Sequence, residues 1–235
     1  LGMSDNWKTH AKNWSTMGYR VHLIDQRNHG RSFWSSDFSY ELMADDIAYY
    51  CSQHSIAKAL ILGHSMGGKT VMQFACKYPE LLHAFVVADI VPKKYPPNHQ
   101  RILKGLSELD FEIIKDRAAA DKKLSEYVPE KGVRQFLLKS IYWKEKGQLD
   151  FRFNLQSLTE NNDEVGVALP SFTIFEGETL FLKGENSGYI SSNEEPIINA
   201  HFPNNRIVTI KNAGHWLHAE NPKDFLKALE DFLQF

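Results

Sequence analysis

Two rhythms of apolar and polar positions alternate along the first third of the chain. Residues 19–25 (YRVHLID), 58–63 (KALILG) and 82–88 (LHAFVVA) are short apolar runs bounded by polar or glycine-bearing stretches, and they read as strands. Between them, residues 40–54 set Leu42, Met43, Ile47 and Tyr50 at helical spacing, and residues 66–78 form a second helix that Pro79 closes. Strands that are apolar throughout and separated by helices predict a parallel sheet covered on both faces.

The rhythm changes at Pro92, Pro96 and Pro97. Residues 98–109, 112–127 and 130–143 read as helices, and 148–154 (QLDFRFN) as a short extended piece. The strand–helix pattern returns at 180–183, followed by a helix over 194–201, a last strand over 206–210 and a last helix over 222–235. The expected organisation is therefore an α/β core in two parts, residues 1–91 and 177–235, interrupted by a helical lid over 92–176. Phe136, Leu137, Tyr142 and Trp143 sit at helical spacing in that lid and are expected mostly in its core.

Composition narrows the function classes. A chain of 235 residues can bury one full core with an inserted lid. Lys+Arg 27 against Asp+Glu 29 leaves a net charge of -2, without the basic surplus that nucleic-acid binding calls on. No apolar run approaches the roughly 18 residues needed to span a bilayer. Cys51 and Cys76 fall in expected helices and read as small core residues, not as a disulfide framework, which favours a reducing compartment, taken as the cytoplasm. The chain opens Leu1-Gly2-Met3 without the charged and apolar regions of a signal peptide, so a fragment or a processed N-terminus is expected.

Candidate chemistry centres on Gly63-His64-Ser65-Met66-Gly67, which fits G-x-S-x-G. The pattern alone is weak, but here a strand runs into it and a helix leaves from it. A tight strand-to-helix turn of this kind exposes the serine hydroxyl as a nucleophile. The helix N-terminus behind Ser65 favours developing negative charge. A serine needs a base, and His215 is the best placed of the ten histidines, on a turn that follows the last strand through Asn212-Ala213-Gly214. His218 reads as a hydrogen-bonded structural histidine, and His64 faces the wrong way around the turn. A metal pair of His215 and His218 lacks further ligands at suitable spacing. The third member should be a carboxylate that orients the imidazole. Asp89, at the end of the strand one helix beyond Ser65, and Glu185, in the loop after residues 180–183, are both candidates; Ser187 stands where an aspartate would be expected. Arg27 and His29 are expected to structure their loop, and Lys69 to lie at the surface or behind the site.

Several stretches taken together resemble the α/β-hydrolases, and more closely the YbfF-type bacterial esterases and their mitochondrial relatives. They are residues 25–32 (DQRNHGRS), 63–69 (GHSMGGK), 88–92 (ADIVP), 135–140 (QFLLKS), 152–154 (RFN), 184–187 (GENS) and 213–220 (AGHWLHAE). The resemblance implies an α/β-hydrolase fold, a mostly parallel sheet with helices on both faces and the lid inserted after Ala88. It also implies that Asp89 is the triad acid, and that the backbone N–H groups of Met66 and Leu1 form an oxyanion hole. It further implies a missing strand ending in His-Gly ahead of Leu1, and two more before it, so the chain is expected to lack roughly 25 residues of a natural enzyme.

The activity implied is hydrolysis of short- to medium-chain acyl esters through an acyl-enzyme, with thioesters as an alternative substrate class and no metal or organic cofactor. Serine at position 65 excludes the dehalogenases of similar fold, which use aspartate. A lyase or carbon–carbon hydrolase, an acyl-CoA thioesterase and a catalytically silent binding protein on the same fold are the rival expectations. A small acyl ester or thioester is the expected partner, and the oligomeric state is left open.

Overall fold

The computed structural model describes residues 1–96 and 99–233. In chain order the strands are β1 Ala59–His64, β2 Leu82–Ala88, β3 Ile141–Glu145, β4 Gln148–Phe151, β5 Glu178–Gly184 and β6 Asn205–Ile210. The helices are α1 Lys8–Thr16, α2 Tyr40–Gln53, α3 Met66–Lys77, α4 Gln100–Ser107, α5 Arg117–Leu124, α6 Lys131–Leu138, α7 Leu155–Glu160, α8 Asn162–Val165, α9 Glu195–His201, α10 Leu217–Glu220 and α11 Pro222–Leu233. The chain divides into two compact units, Leu1–Phe38 with Pro96–Gly166, and Ser39–Tyr95 with Val167–Phe235.

The second unit carries a four-stranded parallel sheet in the order β1-β2-β5-β6. Its two inner strands are apolar through their middles, where Phe85, Val86, Val87, Ala88, Phe181 and Leu182 are all fully buried. That is the composition of strands covered on both faces. β1 and β6 are the outer strands among the described residues and are only partly buried. The Ser39 hydroxyl caps α2 by accepting from Leu42 N–H at 3.1 Å. The helix then buries Tyr40, Met43, Ala44, Ile47 and Cys51, one face at helical spacing. In α3, Val71, Met72, Phe74 and Ala75 join the same core as Phe85, Phe181 and Phe202. Both cysteines are free, and burial raises each thiol above its ordinary pKa.

The stretches around Pro92 and Val167 are tied to each other within this unit. Leu169 N–H donates to the Pro92 carbonyl at 2.9 Å. The Lys69 ammonium donates to the carbonyls of Lys93 and Val167. Lys69 is 3% exposed, so the expectation of a surface group is corrected. A lysine can be taken out of water when its donors meet carbonyls. Burial, and then the charge of Lys93, lower its pKa to about 8.

The first unit contains the short helices α1 and α4–α8 and an antiparallel hairpin of β3 and β4. Several expectations need correction here. Residues 19–25 form no strand: Tyr19 N–H goes to the Trp14 carbonyl, and the run meets no neighbouring strand among the described residues. An apolar run without a ladder partner has no strand to join. The helix expected over 130–143 stops at Leu138, and Tyr142 and Trp143 lie in β3. Gly147, at φ 84°, makes the turn that folds β4 back on β3. The helix expected over 112–127 shortens to Arg117–Leu124, where the Asp116 carboxylate caps it by accepting from Ala119 N–H. Pro97 and Asn98, and the last two residues of the helix expected over 222–235, lie outside the described residues. Among the described residues no helix is long and apolar enough to cross a membrane.

Candidate active site

Three parallel strands of the sheet-bearing unit end at the same edge, and each delivers one side chain there. Ser65 follows β1, Asp89 follows β2, and His215 lies in the loop after β6. The carboxyl edge of a parallel sheet is where such folds place their ligands.

Ser65 links β1 to α3 without an intervening loop. It adopts φ 53° and ψ -117°, a conformation that costs a non-glycine residue about 1–3 kcal/mol. Its N–H donates to the Ala88 carbonyl at 2.9 Å, which fastens the turn to β2. Gly63 makes the turn possible, because a Cβ there would lie 2.2 Å from the Gly67 carbonyl oxygen. Met66 is the first residue of α3, so its N–H is one of those a helix start leaves without an intrahelical acceptor.

Asp89 is fully buried, so its carboxylate must be satisfied by protein donors. It receives three. Gly184 N–H donates to Oδ1 at 3.1 Å, the Ser187 hydroxyl donates to Oδ2, and His215 Nδ1 donates to Oδ2 at 2.8 Å. Because a carboxylate offers no proton, Nδ1 of His215 carries one. The Nε2 lone pair then accepts from the Ser65 hydroxyl at 3.0 Å. Gly184 is required here for space, since a Cβ on it would meet the Gly214 carbonyl oxygen at 2.2 Å. Ser187, where an aspartate was expected, thus serves the carboxylate that comes from β2. Replacing it with alanine removes one of two donors to Oδ2. A roughly tenfold fall in kcat is expected, within the 1–3 kcal/mol that an unmade buried hydrogen bond costs. Steady-state ester hydrolysis beside a thermal melt checks it.

The His215 loop is pinned from several sides. Asn186 N–H donates to the Ala213 carbonyl at 2.8 Å. Glu185 accepts from Asn212 N–H at 2.8 Å, and Glu220 accepts from Gly214 N–H at 2.6 Å. Glu185, the other acid candidate, therefore holds the backbone of the loop and not the imidazole. The Tyr189 ring stacks on His215 with centroids 4.1 Å apart and planes at 20°.

His64, the residue before the serine, bonds to the His215 carbonyl through Nε2 at 2.7 Å. Burial, then the neighbouring His215 and His218, hold its pKa well below the ordinary histidine value. The sequence offered no signal for this contact, which spans 151 positions. His218 is buried in α10, with its ring 4.8 Å from that of His64. Among the described residues no group of three His, Cys, Asp or Glu side chains could hold a metal ion.

The other expected residues lie in the first unit. The Leu1 carbonyl accepts from the Ser140 hydroxyl at 3.2 Å. Arg27 and His29 are buried and hold their loop: Arg27 donates to the Asp37 carbonyl, and His29 Nδ1 bonds to the Arg27 carbonyl. Burial lowers the His29 pKa to about 3.

Comparison with known proteins agrees with this architecture. Residues 1–110 match the alpha/beta hydrolase fold family. The chain is 36% identical to the sn-1-specific diacylglycerol lipase ABHD11 of Danio rerio, over 100% of this chain and 76% of that protein. It is 33% identical to esterase YbfF of Escherichia coli strain K12, over 92% of this chain and 83% of that protein. A solved structure described as a marine microorganism esterase superimposes with a TM-score of 0.94 at 38% identity, covering 99% of this chain and 91% of that one. The chain belongs to the α/β-hydrolase family. Within it, the chain falls in the group that holds YbfF and ABHD11.

Proposed function

We propose that the protein is a serine hydrolase that cleaves carboxylic esters of short to medium acyl chains through Ser65, His215 and Asp89. The observation that carries this reading is the unbroken hydrogen-bond chain from Asp89 through His215 to Ser65. The esterase and lipase names of the relatives support the same class.

Ser65 Oγ attacks the acyl carbon as its proton passes to His215 Nε2. Asp89 holds the ring and offsets its new charge. The tetrahedral oxygen takes the Met66 N–H; Leu1 N–H is the second donor on family resemblance alone. One such donor contributes on the order of 2.7–4 kcal/mol of transition-state stabilisation. Collapse expels the alcohol, which takes the proton from His215. Water then attacks the acyl-enzyme with His215 as base, releasing the acid and restoring Ser65. The steps balance without a metal or organic cofactor. Residues 92–176 serve as the lid between the two parts of the core, 1–91 and 177–235.

Hydrolysis of p-nitrophenyl acetate, butyrate and octanoate tests the reading. All three are expected to turn over, and a palmitate ester at least about tenfold more slowly than the butyrate, the scale on which a pocket discriminates methylenes. Rapid cleavage of acyl-CoA with little ester turnover would move the substrate class to thioesters. A protein that cleaves neither and resists a fluorophosphonate would be a binder on this fold, contrary to the proposal.

A further inference from the structure

We propose that His64 is a positioning residue for His215: its imidazole holds the His215 main-chain carbonyl and so sets where the base stands relative to Ser65. The inference rests on the serine hydrolase reading above and deepens it.

The His215 loop is fixed through its main chain. Its N–H donors at Asn212 and Gly214 are taken by the carboxylates of Glu185 and Glu220, and its Ala213 carbonyl by Asn186 N–H. The carbonyl of His215 itself goes to His64 Nε2 at 2.7 Å. A carbonyl only accepts, so Nε2 carries a proton, and burial, which holds the ring's pKa well below the ordinary histidine value, leaves Nδ1 without one. The ring in contact with the base is thus neutral, and it does not oppose the positive charge that His215 gains as Ser65 attacks.

The connection is also short. His64 and Ser65 are adjacent, and His64 pairs with Ala88, the neighbour of Asp89, in the sheet register. One strand end therefore carries both the nucleophile and the group that fixes the base, with the acid one residue beyond the paired position on the next strand. Ser65 and His215 meet at 3.0 Å. A displacement of about 1 Å between reacting groups costs on the order of 10²-fold in rate. His64 touches neither the substrate carbonyl nor the transferred proton, so its effect falls on kcat and leaves KM nearly unchanged.

Two near-isosteres separate this role from simple filling of space. In His64→Gln the side-chain amide nitrogen reaches the place of Nε2 and keeps the donor. In His64→Asn it falls near the place of Nδ1 and loses it. The expected result is kcat within about threefold of the unsubstituted protein for His64→Gln, and about 10- to 100-fold lower for His64→Asn, with similar KM. Nitrogen-15 NMR of the histidine-labelled, unsubstituted protein reads the same contact without any variant. The account requires His64 as the neutral tautomer protonated at Nε2, with that proton slow to exchange. Equal kcat in the two variants of an active protein, or a His64 protonated at Nδ1 alone, overturns the inference and leaves the hydrolase reading standing. An unsubstituted protein inactive towards all esters and thioesters overturns both together.

Discussion

Replacing Ser65 with alanine is expected to lower kcat for p-nitrophenyl butyrate by about 10⁶-fold, the scale seen when the nucleophile of a serine hydrolase is deleted. The loss is this large because the remaining groups cannot substitute for a covalent step. His215 Nε2 would face a methyl group in place of the hydroxyl it now meets at 3.0 Å. Met66 N–H would still polarise an acyl oxygen, which leaves residual catalysis over water. The fold should be unaffected. Alanine and serine pay alike for φ 53°, and the Ser65 N–H bond to Ala88 involves only main chain. A thermal melt close to that of the unsubstituted protein, together with the rate loss, is the expected pair of results.

Asp89→Asn is expected to cost about 10⁴-fold in kcat while the protein stays folded. All three partners of this side chain are donors in their present arrangement: Gly184 N–H, the Ser187 hydroxyl and His215 Nδ1–H. An asparagine has one acceptor oxygen, so its NH2 group must face donors at one of the two positions. Ser187 can turn its hydroxyl away. His215 can relieve the conflict only by moving its proton from Nδ1 to Nε2, and then it no longer accepts from Ser65. The backbone does not confuse the experiment, since Asp89 sits at φ 55°, a conformation asparagine tolerates as well as aspartate. Steady-state kinetics and a circular dichroism melt on one preparation check both halves. A loss below about tenfold would remove Asp89 from the mechanism and return attention to Glu185.

How far these features could be read beforehand depends on how local they are. The elbow at 63–67 was legible because strand, turn and helix are consecutive in the chain and each has its own pattern. The strands at β1, β2, β5 and β6 were legible for the same reason: each carries a short apolar run bounded by polar residues or glycine. The choice between Asp89 and Glu185 was not legible from residues alone. Both follow strands at the sheet edge, and only three-dimensional distance shows that one meets the imidazole and the other meets Asn212 N–H. The helix expected over 130–143 failed at Ile141 for a readable reason. Gly147 sits between the apolar run at 141–143 and the alternating residues 148–151, a hairpin signal that helical spacing at Phe136, Leu137, Tyr142 and Trp143 masked. Residues 19–25 have strand composition, but composition supplies no ladder. For Lys69 the choice between the surface and a place behind the site stayed open because its carbonyl partners, at Lys93 and Val167, lie far along the chain.

The central claim is that Ser65 is the activated nucleophile, and the most direct test is to treat the protein with a fluorophosphonate and locate the adduct by peptide mass mapping. The account predicts one adduct, on the peptide that contains Ser65, formed quickly by the unsubstituted protein and absent from Ser65→Ala. A folded protein that forms no adduct, or that is labelled equally after the substitution, would contradict it.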